Sequence, residues 1–184
     1  MLAAAGRLLA NRGYAGMTIA AVAREAGVAP ETVYAAFGNK RALVGALVQT
    51  AVRGGDPAPA AAQAGAAAVA AATDQREQVG LFAADVVERL ERVGPVLHAL
   101  AASGEPELAE LLARVDRDRL EGLRRFVAVL ERGGPLRTDA AAATETVWAL
   151  ASPELYGMLT ARRGWSRERY RDWLADTLAS ALLP

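Results

Sequence analysis

The sequence predicts an all-α protein of nine to ten helices, and three observations carry that prediction. Ala, Leu, Glu and Arg dominate the 184 residues while aromatics supply only 5%, a composition rich in helix formers and thin in strand formers. Apolar residues recur at spacings of three and four along most of the chain, and no segment reads as a credible strand. Glycine and proline fall at helix-length intervals, at Gly13, Gly16, Gly27, Gly38, Gly94-Pro95 and Gly133-Gly134-Pro135, where they divide one helix from the next. A chain of this length can bury a substantial core.

In order along the chain, Gly13, Gly16, Gly27 and Gly38 divide the first 50 or so residues into short helices over about 2–12, 19–26, 30–36 and 40–53. Helices this short bury their apolar faces only by crossing one another, so a small bundle is expected. The alanine-rich stretch 54–74 reads as a linker at Gly54-Gly55-Asp56-Pro57 followed by helix. Asp74-x-x-Glu77 is a capping box ahead of Val79, Phe82, Val86 and Leu90. Gly94-Pro95 is expected to break or kink that helix, with "PVLHALAAS" continuing as a short one. From Pro106 to Arg132 the series Leu108, Leu112, Val115, Leu123, Phe126, Leu130 marks a long amphipathic helix, with Arg119 in its one long gap. Asp139 caps a helix to about Leu150, Ser152-Pro153 opens another toward Arg162, and Ser166 caps a last helix bearing Tyr170, Trp173, Leu174 and Leu178.

Composition excludes several function classes. No cysteine is present and His98 is the single histidine, which removes disulfides, thiolate chemistry and any multi-histidine metal site, so neither a metal nor another cofactor is expected. An enzyme would be left with scattered carboxylates that lack catalytic spacing. The longest uncharged run, Pro57 to Thr73, is too short and too weakly apolar to span a bilayer, and no targeting segment stands out. A cytoplasmic protein is the expectation.

The net charge is zero, but the ends differ. Residues 1–53 carry six basic and two acidic side chains, and the remainder carries fifteen basic and nineteen acidic. A basic head on an acidic body suits a protein whose first ~50 residues meet a polyanion. Lys40 is the only lysine beside twenty arginines, and it follows Asn39, a natural helix cap. A cation in the first turn opposes the helix dipole, a placement that makes sense where a phosphate lies just beyond.

Residues 18–37, "TIAAVAREAGVAPETVYAAF", hold the most specific pattern. Thr18 fits an N-cap, Gly27 supplies a left-handed helix end, and Pro30 sits where the next helix has no need of an amide hydrogen. Two short helices across such a turn form a helix-turn-helix, whose second helix can enter a DNA major groove. At 100° per residue Val33 and Phe37 face the core, Glu31, Thr32 and Ala35 point away from it, and Tyr34 and Ala36 lie on the flanks. Tyr34 is either partly buried by its neighbours or a phosphate donor at the groove edge.

Gly13-Tyr14, Thr18, Ala26-Gly27-Val28, Thr32-Val33-Tyr34 with Phe37, and Asn39-Lys40-Arg41-Ala42-Leu43 occur in an order and spacing that resembles the DNA-binding domain of the TetR (tetracycline-repressor-like) family of transcriptional regulators. The resemblance implies a three-helix helix-turn-helix DNA-binding domain at 1–53, with its motif at 18–37, and a helical ligand-binding and dimerisation domain at 54–184. It implies a homodimer on a double-stranded DNA operator, most often a repressor released by a small, mostly apolar effector, with no membrane partner. The alternative is a helical interaction module that keeps the shape without binding DNA. The chain departs from the family pattern at Ala29, Glu31 and Ala36, and Ala35 and Ala36 have nothing to hydrogen-bond a base.

The candidate DNA contacts are therefore Thr18, Pro30, Glu31, Thr32, Tyr34, Ala35 and Lys40, with sparse direct base readout and most affinity from phosphate contacts. For the effector the candidates are Phe82, Val86, Leu97, His98, Leu123, Phe126, Val127, Trp148 and Tyr156, each of which is otherwise plain core; His98 can serve a ligand or a backbone carbonyl. The last two long segments, about 139–162 and 166–182, are the candidates for a four-helix dimer seam, with Tyr170, Trp173, Leu174 and Leu178 on the second.

Overall fold

A computed structural model describes residues 1–54 and 63–184, and its ordered elements are all helical. The helices are α1 (Leu2–Gly16), α2 (Ile19–Ala26), α3 (Pro30–Phe37), α4 (Lys40–Arg53), α5 (Ala64–Ala71), α6 (Gln75–Ala102), α7 (Ala109–Gly133), α8 (Ala140–Leu150), α9 (Pro153–Gly157) and α10 (Arg167–Leu182). A 3-10 turn, Pro106–Leu108, precedes α7, and a π turn, Met158–Arg162, continues α9. The linker expected at Gly55-Asp56-Pro57 lies outside the described residues.

Most starts and stops follow the sequence signals. The side chains of Thr18, Asn39, Asp74, Asp139, Ser152 and Ser166 each accept a hydrogen bond from the amide three residues on, satisfying a donor with no partner inside the helix. Ser152 is 7% exposed, so its loss would leave the part-buried Leu155 amide without its acceptor. Ser152→Ala is expected to lower the unfolding free energy by about 1 kcal/mol, toward 2 because of that burial, measured as a denaturant midpoint shift at constant slope.

Two expectations are corrected. Gly94-Pro95 does not end a helix: α6 runs through Pro95 for 28 residues. Proline removes one intrahelical bond, but its ring faces solvent. Apolar contacts on both sides, Leu90 in one core and Val96, Leu97 and Leu100 in the other, keep the helix continuous. The helix expected from Pro106 begins instead as the 3-10 turn, with α7 proper from Ala109. In α1, Gly13 takes φ 65° and ψ −179° inside an otherwise helical run. That break turns Tyr14 into the core, where it is 2% exposed.

Two clusters of buried side chains hold the fold. The first joins α5 to α10 and includes Phe82, Val86, Leu90, Leu123, Phe126, Leu130, Val147, Tyr170, Leu174 and Leu178. The second joins α1 to α4 through Leu8, Leu9, Met17, Val22, Val33, Leu43 and Val48, and is completed by Leu100, Leu108 and Leu111 from α6 and the start of α7. One face of α6 thus serves both: its first two-thirds belongs to the body core and its last turns to the head core. Arg92 adds a bond from α6 to the carbonyl of Ala51 at the end of α4, at 3.3 Å.

Buried polar groups close the body. Arg119 donates to the carbonyls of Trp148 at 3.0 Å and Ala151 at 3.5 Å, and the Tyr170 hydroxyl donates to that of Leu150 at 2.7 Å. Both side chains therefore serve carbonyls at the end of α8 that have no intrahelical donor. Burial pushes the Tyr170 phenol up and pulls the Arg119 guanidinium down, which keeps tyrosine a neutral donor. Arg119 is the residue that breaks the apolar series of α7 in the sequence, and this end-capping of α8 is its structural role.

Candidate nucleic-acid interface and ligand domain

In the helix-turn-helix, Thr18 Oγ1 accepts from the Ala21 amide at 3.1 Å, fixing the start of α2. Gly27 adopts φ 69°, ψ 31°, and the Val28 amide returns to the Ala23 carbonyl at 3.0 Å. This paired closure satisfies two carbonyls and needs a residue at ease with positive φ. Pro30 then opens α3, fixed against the core by Val33 at 0% exposure and by half-buried Phe37.

The opposite face of α3 is free. Glu31, Thr32, Ala35 and Ala36 are exposed, as are Thr18 and Pro30, and Tyr34 is 53% exposed. The phenol of Tyr34 therefore stands out from the head rather than lying under its neighbours. Beyond Gly38, Asn39 Oδ1 accepts from the Ala42 amide at 2.8 Å and caps α4, so Lys40 occupies the first helical position, three residues after the end of α3.

Lys40 is half-buried, with its Nζ 3.7 Å from the centroid of the Tyr14 ring. Burial draws its pKa below the ordinary lysine value, against the pull of Glu107 and Glu105. The Tyr14 hydroxyl donates to Glu107 at 2.5 Å, and burial together with that carboxylate pushes the phenol well above its usual range. Arg41, the next residue, donates to Glu110 at 2.5 Å, and this contact holds the Glu110 carboxyl below the ordinary glutamate value. Tyr14 and Arg41 stand in the sequence only as parts of the family pattern, and their pairing with Glu107 and Glu110 is not legible there, because the partners lie 93 and 69 residues away.

The effector candidates divide. Phe82, Val86, Leu123, Phe126 and Val127 converge in the body core with half-buried Tyr156 against them. Phe82 and Phe126 stack with centroids 3.8 Å apart at 11°, and Tyr156 meets Tyr170 edge-on at 4.9 Å. The other three lie elsewhere. Leu97 packs on the head core, and His98 is exposed on the far stretch of α6. Trp148 is 38% exposed, with its indole N–H on Asp116 at 3.2 Å and the Arg119 guanidinium 4.7 Å over its ring. Helical phase separates Leu97 and His98 from the rest: beyond Leu90 the apolar face of α6 has passed from the body core to the head core.

The dimer candidates lie in or against the core of the single chain. Tyr170, Leu174 and Leu178 are each 0% exposed within the single chain, and Trp173 packs on the same core, its ring 5.6 Å from Trp165. An amphipathic stripe does not reveal whether its partner is the same chain or another copy, and here the same chain fills it. The outward positions of these helices are Ala141, Glu145 and Ala149 on α8, and Asp176, Ser180 and Ala181 on α10.

Among the described residues no helix is long and apolar enough to cross a membrane. Comparison with known proteins gives one family match: residues 1–47 match the family described as bacterial regulatory proteins, tetR family. No curated protein matches. Among solved structures the chain is similar to the fatty acid degradation regulator FadR from Bacillus halodurans, at 18% identity, TM-score 0.75, over 96% of this chain and 95% of that one. FadR from Bacillus subtilis in complex with stearoyl-CoA gives 16%, 0.73, 97% and 96% in the same order. A candidate transcriptional regulator from Saccharomonospora viridis in complex with choline gives 21%, 0.70, 98% and 94%. At these identities the likeness establishes the fold.

Proposed function

We propose that this chain, whose residues 1–47 match the family of bacterial regulatory proteins, tetR family, is a ligand-responsive repressor that leaves its operator when a small molecule binds. The observation that carries this reading is the free face of α3, anchored by Val33 from behind, flanked by exposed Tyr34 and followed by Lys40 at the first position of α4. Residues 1–53 act as the DNA-binding domain and 54–184 as the ligand-binding and dimerisation domain.

On this reading α3 lies in a major groove, Thr18, Tyr34 and Lys40 meet the phosphates at its rim, and Thr32 and Ala35 face base edges. With alanine at 35 and 36, specificity rests more on phosphate register and DNA shape than on base hydrogen bonds. A homodimer through the outward faces of α8 and α10 spaces two heads for half-sites about 34–36 Å apart. The effector enters among Phe82, Val86, Leu123, Phe126, Val127 and Tyr156, and displacement of α6 there reaches the head through Leu97 and Leu100. The ligands of the neighbours, stearoyl-CoA and choline, define a first panel to try.

The test is binding of the purified protein to a labelled duplex from the region beside its own coding sequence, across a salt series and then with long-chain acyl-CoA, choline and small apolar molecules. Salt-dependent binding released by one compound is the expected result. Absence of salt-dependent binding would leave the interaction module as the better reading, and a monomeric mass at micromolar concentration would remove the two-headed geometry.

A further inference from the structure

Two contacts join the head to the start of α7, and a third, within the head, lies beside them. Arg41 pairs with Glu110, Tyr14 donates to Glu107, and the Lys40 ammonium rests on the Tyr14 ring within the field of Glu107 and Glu105. The participants come from α1, α4, the turn at Pro106–Leu108 and the first residues of α7. Of the two cations that open α4, Arg41 is thus paired with a carboxylate of the body, and Lys40 rests on a ring whose hydroxyl donates to another. We propose that Glu107 and Glu110 form an acidic latch that competes with DNA phosphate for Lys40 and Arg41, so that the head releases the start of α7 as it takes up DNA.

The inference rests on the DNA-binding reading and adds a regulatory element to it. Side-chain exposure at the outer pair is 44% for Arg41 and 70% for Glu110, so water and salt weaken it and it opens easily. Duplex DNA presents about one negative charge per 1.7 Å of axis, a stronger partner for the same guanidinium. The latch sets a threshold rather than a block. Its position matters because α7 continues from Glu110 to Leu123, Phe126 and Val127 in the body core. A change in body packing that moves the start of α7 therefore changes how firmly the two cations are held. By linkage, DNA that captures them alters that packing in return.

The experiment uses the full chain and the labelled duplex from beside its own coding sequence, over a potassium chloride series. Glu107→Gln with Glu110→Gln keeps shape and acceptor oxygens while removing charge. It is expected to tighten binding about two- to fivefold, the range of an exposed ion pair, and to steepen the salt dependence as Arg41 joins the phosphates. Glu110→Gln alone, at an exposed position, gives a smaller gain and guards against misfolding of the double variant, which a thermal melt would reveal. In an Arg41→Gln background the gain from Glu110→Gln disappears. If the gain persists there, bulk charge explains it and the latch is overturned; if there is no gain, the latch is also overturned, while wild-type binding leaves the DNA reading intact. If neither wild type nor variants bind the duplex, the DNA reading fails and the latch fails with it.

Discussion

Phe126→Ala is expected to lower the unfolding free energy by about 3–5 kcal/mol, the range for truncating a buried aromatic. Phe126 is 6% exposed and stacks on Phe82, itself 8% exposed, at the crossing of α6 and α7. Loss of the ring removes apolar contacts from both helices and leaves a void that neighbours from α8 and α10 are too well fixed to fill. A urea titration checks this through a lower midpoint at unchanged slope. Trp148→Ala gives the contrast. That ring is 38% exposed, its main contacts are Asp116 and Arg119, and about 1 kcal/mol is expected, within the ordinary range for a point change. Equal effects at the two positions would contradict the burial that separates them. The Phe126 void also bears on the effector site: a small apolar molecule that restores the midpoint of the variant would occupy the space proposed for the natural ligand.

Lys40→Ala is expected to weaken DNA binding about tenfold and to reduce the slope of log affinity against log salt by about 0.9, the loss of one phosphate contact. Tyr34→Phe is expected to weaken binding about two- to tenfold, from one hydrogen bond of about 0.5–1.5 kcal/mol, with no change in slope because no charge is lost. This pair of outcomes separates the two roles. Lys40 has a competing use, since a cation over an aromatic ring contributes about 0.5–1 kcal/mol where solvent reaches it. If Lys40→Ala lowered the melting temperature and left both affinity and slope unchanged, its work would be confined to Tyr14.

How far the sequence reaches varies from element to element. The helix-turn-helix was legible because its determinants are local: Thr18 caps α2 three residues away, Gly27 must accept positive φ, and Pro30 has no amide to satisfy. The same holds for the starts of α6, α8, α9 and α10 at Asp74, Asp139, Ser152 and Ser166. Periodicity separated Val33 from Tyr34, and their exposures of 0% and 53% follow it.

The contacts that join head to body were not legible. Nothing near Tyr14 in the chain announces Glu107, and nothing near Arg41 announces Glu110, because charge pairs across 93 and 69 residues depend on how the helices cross. Lys40 shows both levels at once. Its isolation in the composition and its place after Asn39 marked it as unusual, whereas its seat over the Tyr14 ring follows from the turn at Gly13 that brings the phenol inward.

By itself, then, the sequence determined the all-helical class, the positions of the caps and turns, and which face of α3 is free, since each depends on residues within a few positions of one another. Only the tertiary structure decided that α6 passes through Pro95 to join two cores, that the stripe of α10 is filled by its own chain, and that Arg41 at the start of α4 pairs with a carboxylate of the body. Those outcomes depend on where distant helices meet, and side-chain spacing along one helix carries no record of what lies across from it.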